Sequence, residues 1–290
     1  WAMRLTWTAI AITPLGPLRS LGRVVGDISF YALRSRRRTG LDNLRLAFPK
    51  EGEAWRRGVL RGVMRNFTRW ALEVLYFARA PHKLTDEVIK IEGRENLERA
   101  LGQGKGVIAL GAHLGNFILG LMKLGQEGYP LNVVVRNPKF EPLTSFLVRL
   151  RKNLRIGEIP DRPAEACIRR CLEALRRKEI LFLQIDIHGG GDIVHVDFFG
   201  QEVPTFKGPA VLALRTGAPV LPFFTVSDPK GGHRILIYPA IDFVTSGERD
   251  KDVHLLTALL TKCIEDSVRE HPEQWLWIHQ RFRKARKKPS

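Results

Sequence analysis

Apolar positions along the chain change period as it proceeds. From Leu18 to Leu33 they recur near helical spacing, at Leu18, Leu21, Val24, Val25, Ile28 and Leu33, with Arg19 and Arg23 between them. This spacing predicts an amphipathic helix. A second helical pattern covers about 53–79, where Trp55, Val59, Val63, Phe67, Trp70, Leu72 and Tyr76 spread over more than one face, as in a helix that packs against a body or touches lipid. Beyond it, apolar runs at 106–110, 131–135, 180–185 and 219–226 alternate with helical stretches near 116–128, 141–153, 163–178 and 207–217. Strand then helix, repeated, predicts a mainly parallel sheet covered on both faces. Residues 233–237 predict an edge strand, and 251–270 a last long helix. The fold class is therefore α/β, a mainly parallel central sheet flanked by helices, with an N-terminal amphipathic helical region.

Charge divides the chain further. The formal net charge of +17 lies at the ends: residues 1–79 hold 15 Lys/Arg against 5 Asp/Glu, residues 281–290 hold 6 against none, and 80–280 hold 26 against 25. A neutral body with two basic ends reads as a core held to an anionic surface, where each Lys or Arg gains about 1 kcal/mol. Nucleic acid fits poorly, because no basic stripe with interleaved aromatics and no binding motif is present. The run Arg34, Arg36, Arg37, Arg38 after the first helix reads either as a solvated helix end or as an interfacial anchor on anionic lipid. The expected organisation is a basic helical membrane-associating region at 1–80, an α/β domain at 81–280 and a basic tail at 281–290.

The uncharged segment from Leu5 to Leu18 has 14 residues and contains Pro14 and Pro17, so it is too short to span a bilayer alone but can lie in the interface. The chain starts at Trp1 rather than Met, which leaves its native first residues open. Cys167, Cys171 and Cys263 form no C-x-x-C pair and read as buried reduced thiols rather than metal ligands. A cytosol-facing protein suits them.

Chemistry is sought where the strands end, since open α/β sheets bind ligands beyond the carboxyl ends of their strands. In GVIALGAHLGNF, His113 follows a buried strand, Asn116 falls at the N-cap of the next helix, and Gly111 and Gly115 allow close backbone approach. Such a histidine serves as a general base, or merely hydrogen-bonds the turn. Arg136 after LNVVV could grip a phosphate or carbonyl oxygen, or form a surface salt bridge. The turn IHGGGD at 187–192 matches neither a dinucleotide fingerprint nor a Walker loop. His188, His195, Asp186, Asp192 and Asp197 imitate a metal cluster, but alternation along a strand would separate them.

GAHLGNF resembles the His-centred block of the lysophospholipid acyltransferase superfamily, and its surroundings are most similar to the bacterial lipid A late acyltransferase (lauroyl/myristoyl acyltransferase) family. The matching pieces are DNLRLAFP at 42–49, NFTRWALEVL at 66–75, VVVRNP at 133–138, FFGQEVPTFKGPAVLALRTGAPVLPFF at 198–224 and HPEQWLWIHQRF at 271–282, in the family's order. The resemblance implies a glycerolipid acyltransferase-like fold and transfer of an acyl chain from an acyl carrier protein (or CoA) thioester to a hydroxyl of a lipid A precursor or another membrane lipid. His113 would take the hydroxyl proton, with no acyl-enzyme, no metal and no cofactor beyond the thioester co-substrate. The acidic carrier protein would be a second anionic partner beside the membrane. The implied location is the cytoplasmic face of the bacterial inner membrane, peripheral or N-terminally anchored. Lys207, before the helix starting GPAVLAL, would suit an anionic headgroup or phosphopantetheine, or be solvated. Oligomeric state stays open.

The family block continues to an acid at the fifth residue after the histidine, and this chain has Ile118 there. An isoleucine cannot accept the imidazole N–H. Asp186, ending ILFLQID, is the first replacement and Glu73 in NFTRWALEVL the second; Gln184 stands where a neighbouring acid is frequent. Otherwise Asn116 or a backbone carbonyl orients the ring in a slower enzyme, or the chain is an inactive lipid-binding relative. In WLWIHQRF, Trp275 and Trp277 suit a membrane interface, or pack beneath the acyl pocket, which is preferred for Trp277. Arg281 starts the basic tail.

Overall fold

The strand and helix alternation closes into one seven-stranded sheet with helices on both faces. The computed structural model describes residues 13–136, 138, 140–187, 191–228 and 231–282. Helices α1 (Leu15–Ala32), α2 (Arg34–Ala47) and α3 (Glu53–Arg79) come first. Then follow β1 (Ile89–Glu92), α4 (Arg94–Gly102), β2 (Val107–Gly111), α5 (Phe117–Gln126), β3 (Leu131–Val135), α6 (Glu141–Asn153), β4 (Gly157–Pro160), α7 (Ala164–Arg176) and β5 (Ile180–Gln184). A hairpin, β6 (Ile193–Phe198) and β7 (Gln201–Phe206), precedes α8 (Gly208–Thr216), β8 (Val220–Ser227), β9 (His233–Ile237) and α9 (Arg249–Glu270).

Strands lie in the order β1-β9-β8-β2-β5-β3-β4. Neighbours are parallel except β8 with β9. The unbroken apolar runs are explained by their double burial. Along β2, Ile108 and Leu110 enter one core with Leu260 and Ile264 of α9, while Val107 and Ala109 enter the other with Leu119 and Met122 of α5. Alternate side chains thus serve opposite faces. Helix α3 feeds both cores, through Leu60 and Val63 on one side and Val74 and Phe77 on the other, which explains its apolar residues on several faces.

Three expectations change. Residues 233–237 are not an edge: β9 lies between β8 and β1, and the edges are β1 and β4, four-residue strands too short to show a period. The hairpin at 193–206 was not foreseen. Its two-residue turn, Phe199 and Gly200, has positive φ at both positions (58° and 72°), the conformation that matches strand twist. A phenylalanine holds that backbone because its ring is buried against Phe48 and Trp277 and its N–H donates to Glu265 at 2.5 Å. Finally, the arginine run opens α2 rather than trailing α1, and Arg37 donates to the Phe30 carbonyl at 3.0 Å, satisfying the carboxyl end of α1.

Helix α1 lies on α3 by way of glycines. A Cβ on Gly22 would stand 2.6 Å from the Cα of Arg69, and one on Gly26 2.4 Å from the Cα of Arg65. The backbones therefore touch, and Thr68 donates to the Gly22 carbonyl at 2.5 Å. The opposite side of α1 is not covered by the described residues: Leu21, Val24, Val25, Ile28 and Tyr31 are exposed. Among the described residues no helix is long and apolar enough to cross a membrane. Residues 1–12 and 283–290, which hold most of the N-terminal uncharged segment and the basic tail, lie outside the described residues, as does His188.

Candidate active site

Strands β2, β5 and β8 end on the same side of the sheet, and the loops after β2 and β5 meet there. Asp186, two residues past β5, is 1% exposed. Its Oδ1 lies 3.0 Å from His113 Nδ1, and its Oδ2 accepts the His113 main-chain N–H at 2.7 Å and the Trp275 indole N–H at 2.8 Å. Burial alone would push the Asp186 carboxyl up. The His113 charge, its ring and main-chain N–H groups and the Trp275 N–H outweigh that and hold it below the usual carboxylate range. The acid therefore stays ionised, fixes the tautomer with the proton on Nδ1, and leaves the Nε2 lone pair for chemistry. The His113 ring is one-fifth exposed and stands edge-on to Phe117, with centroids 5.3 Å apart.

The loop is fixed at two further points. Gly115 has φ +60°, and a Cβ there would stand 1.6 Å from the Thr225 carbonyl oxygen, so only glycine fits. Its N–H donates to the Gln274 carbonyl at 2.9 Å, and Leu114 bridges to Trp275. Asn116 caps α5 as expected, accepting from the Leu119 N–H at 3.3 Å. Its amide donates to Glu73 Oε2 at 3.1 Å, so it does not orient the imidazole.

Glu73 does not reach His113 either. It is fully buried in a second network, taking Arg19 Nε on Oε1 at 2.7 Å and lying 2.9 Å from His233 Nε2 with Oε2. Burial pushes the Glu73 carboxyl up, but the His233 hydrogen bond and the His233, Arg19 and Arg69 charges hold it at about 2. His233 Nδ1 in turn meets Ser227 Oγ at 3.1 Å, which accepts from Trp70 at 2.9 Å. With its oxygens occupied and no exposure, Glu73 supports the loop from beneath rather than touching a substrate.

Arg136 projects from the end of β3 and is 59% exposed, paired with Asp161 through Nε at 2.6 Å. The surface salt bridge is the arrangement present. Lys207 stands at the N-cap of α8, its ammonium 3.0 Å from Asp192. His195 is exposed, and its carbonyl accepts from His254 at 2.9 Å, so it shares no site with Asp186. Trp275 and Trp277 are both fully buried, which corrects the interfacial reading of Trp275. Arg281 is not tail: it is 1% exposed and donates to the Pro204 carbonyl at 2.6 Å and to Thr205 Oγ1 at 2.7 Å. Burial pulls its guanidinium down to about 10.

Ile118 lines an apolar cavity of about 180 Å³, with Phe117, Leu121, Leu150 and Phe182 among its other walls. Gln184 borders the same cavity, and its buried amide nitrogen has no partner among the described residues. The missing acid and the cavity are thus one feature: an alkyl group where a carboxylate would have stood. Sequence reasoning missed Trp275 as a donor to Asp186, and missed His233 altogether. His233 has no sequence signal, because its partner Glu73 lies 160 positions away.

The chain is 25% identical over 294 residues to the lipid A biosynthesis lauroyltransferase of Escherichia coli (strain K12), covering 96% of this chain and 91% of the relative. It is 26% identical over 296 residues to the lipid A biosynthesis palmitoleoyltransferase of the same organism, with the same coverage. Over 218 residues it is 29% identical to the phosphatidylinositol mannoside acyltransferase of Mycobacterium tuberculosis (strain CDC 1551 / Oshkosh), covering 73% of this chain and 66% of that one. The family described as bacterial lipid A biosynthesis acyltransferase matches residues 1–284. The chain belongs to that family and is an acyltransferase.

Proposed function

We propose that this enzyme moves a fatty acyl chain from a carrier protein or CoA thioester to a hydroxyl of a lipid A precursor or another membrane lipid, with His113 as general base oriented by Asp186. The observation that carries this reading is the 3.0 Å contact between His113 Nδ1 and Asp186 Oδ1. It supplies the acceptor that Ile118 cannot, and so removes the ground for an inactive lipid-binding relative. Nε2 takes the proton of the lipid hydroxyl as its oxygen attacks the thioester carbonyl. The tetrahedral adduct collapses with loss of the thiolate, which receives the same proton from the imidazolium. Ester and free thiol are the products, and the enzyme is unchanged.

The reading of the acceptor class is supported by relatives named as a lipid A biosynthesis lauroyltransferase and a phosphatidylinositol mannoside acyltransferase. The apolar cavity lined by Ile118 offers room for part of an alkyl chain beside the base. Surface association is supported by α1, whose exposed apolar side can enter a leaflet without spanning it. In an assay of thiol release from acyl carrier protein thioester with a membrane lipid acceptor, His113→Ala is expected to abolish turnover. Asp186→Asn is expected to lower kcat by about 10⁴, the loss seen when the orienting acid of a comparable triad is neutralised. Unchanged turnover in either variant overturns the dyad.

A further inference from the structure

Beside the catalytic loop the structure gathers more positive charge than it neutralises. Arg19 and Arg23 lie one turn apart on α1, and Gly22 between them sits on the backbone of Arg69 in α3. Arg69 is 5% exposed, lies one turn before Glu73, and its buried Nε has no partner among the described residues. Arg19 commits Nε to Glu73, but its buried Nη2 also has no partner among them. Glu73 takes Arg19 on Oε1 and meets His233 and Asn116 with Oε2, and it is not hydrogen-bonded to Arg69. The next carboxylate along α1, Asp27, is taken by Arg61 and Arg65. Leaving buried charged donors unmade is expensive, so their persistence here calls for an acceptor that the described residues do not provide.

The cluster sits at the right place for substrate. Ser227 and His233, at the ends of β8 and β9, place it on the same side of the sheet as His113, and Asn116 ties Glu73 to the His113 loop. Gly231, in the loop between β8 and β9, packs closely on Arg19: a Cβ there would stand 3.2 Å from Arg19 Nη1. Arg23 is exposed and Arg19 is 21% exposed, so the group opens to the surface along α1. The exposed apolar residues Val24 and Ile28 lie immediately beyond on the same helix. Burial and the neighbouring Arg19 and Arg23 charges draw the Arg69 guanidinium down, the electrostatic condition an anion relieves.

We propose that Arg69, with Arg19 and Arg23, binds a phosphate group carried by a substrate of the transfer reaction. Phosphate suits the site because it presents several acceptor oxygens and up to two charges to forked donors. The proposal rests on the acyl-transfer reading for the identity of the substrates. Either the acceptor lipid or the phosphopantetheine arm of the thioester donor can supply the group.

The test reads equilibrium binding rather than turnover, using the full chain in neutral detergent micelles. Probes are phosphatidic acid against diacylglycerol for the lipid source, and coenzyme A against pantetheine for the donor source. The wild-type chain is expected to prefer one phosphorylated member of a pair, and Arg69→Gln to weaken that member roughly tenfold. Arg23→Gln, at an exposed position that cannot unfold the chain, is expected to weaken it roughly threefold and decides the matter if Arg69→Gln melts early. Loss confined to phosphatidic acid assigns the acceptor, and loss confined to coenzyme A assigns the donor. Equal affinity for phosphorylated and phosphate-free probes, or unchanged affinity in the variants, overturns the site. Absence of acyl transfer from every donor would count against the His113 reading alone, because these affinities need no turnover.

Discussion

Trp275 donates its indole N–H to the same oxygen of Asp186 that accepts the His113 main-chain N–H, so Asp186 is held both from the His113 loop and from a segment 89 positions further along the chain. The other Asp186 oxygen is thereby kept for the imidazole. Trp275→Phe keeps the ring among Phe198 and Trp277 and deletes one donor. The variant is expected to lose about 1–3 kcal/mol of stability by chemical denaturation and to lower kcat on the order of tenfold. The folded Asp186 carboxyl lies below its ordinary value of 3.8, so the stability it lends is present above that pH and is lost as pH falls through the folded value. Removing the donor raises the folded value, and acid unfolding of the variant should begin at a higher pH than in the parent. Coincident acid transitions would show that the indole N–H is idle.

Glu73 sets a second pH dependence. Its carboxyl is held at about 2 in the fold against an ordinary 4.5, so its contribution is fully present above pH 4.5 and lost as pH falls toward 2. The magnitude is of order 3 kcal/mol. Glu73→Gln leaves Arg19 and His233 without their carboxylate, and should be less stable than the parent at neutral pH. The difference between the two is expected to shrink steadily as pH falls from 4.5 toward 2, measured by urea midpoints. A difference that does not change with pH would mean that Glu73 acts by shape rather than by charge.

Val24 and Ile28 are 56% and 62% exposed on α1, with no packing role to lose. Val24→Asp with Ile28→Asp is expected to weaken cosedimentation with phosphatidylglycerol vesicles by roughly 100-fold or more, since each side chain contributes about 1.5–3 kcal/mol when buried. The thermal midpoint should stay in place. Vesicle binding equal to the parent's would move the membrane contact away from this helix.

Much of this arrangement is legible in the sequence, and the limits have physical causes. The central strands announce themselves because burial on both faces forces unbroken apolar runs such as VIAL and ILFL. The edge strands β1 and β4 do not, because four residues with one covered face carry no period. The strand end before His113, the tight turn at Gly115 and the helix cap at Asn116 are legible locally, because each is written within a few residues. Asp186 is legible as a residue just past the neighbouring strand. Glu73 and Arg136 were singled out by type, but the fold gave one to His233 and Arg19 and the other to Asp161. Such pairings join residues far apart in the chain, and no local pattern encodes them.

The contacts that finish the site come from 272–282. Trp275 reaches back 89 positions to Asp186, the Trp277 carbonyl accepts from Asn43 across 234, and Glu273 from Asn66 across 207. A growing chain therefore carries His113 and Asp186 long before Trp275 can hold Asp186 in place. Because such distant contacts form late, competence arrives only when the last segment docks. A chain cut between Asp186 and Trp275 would keep His113 and Asp186 but lose the indole N–H that Trp275 gives to the Asp186 carboxylate.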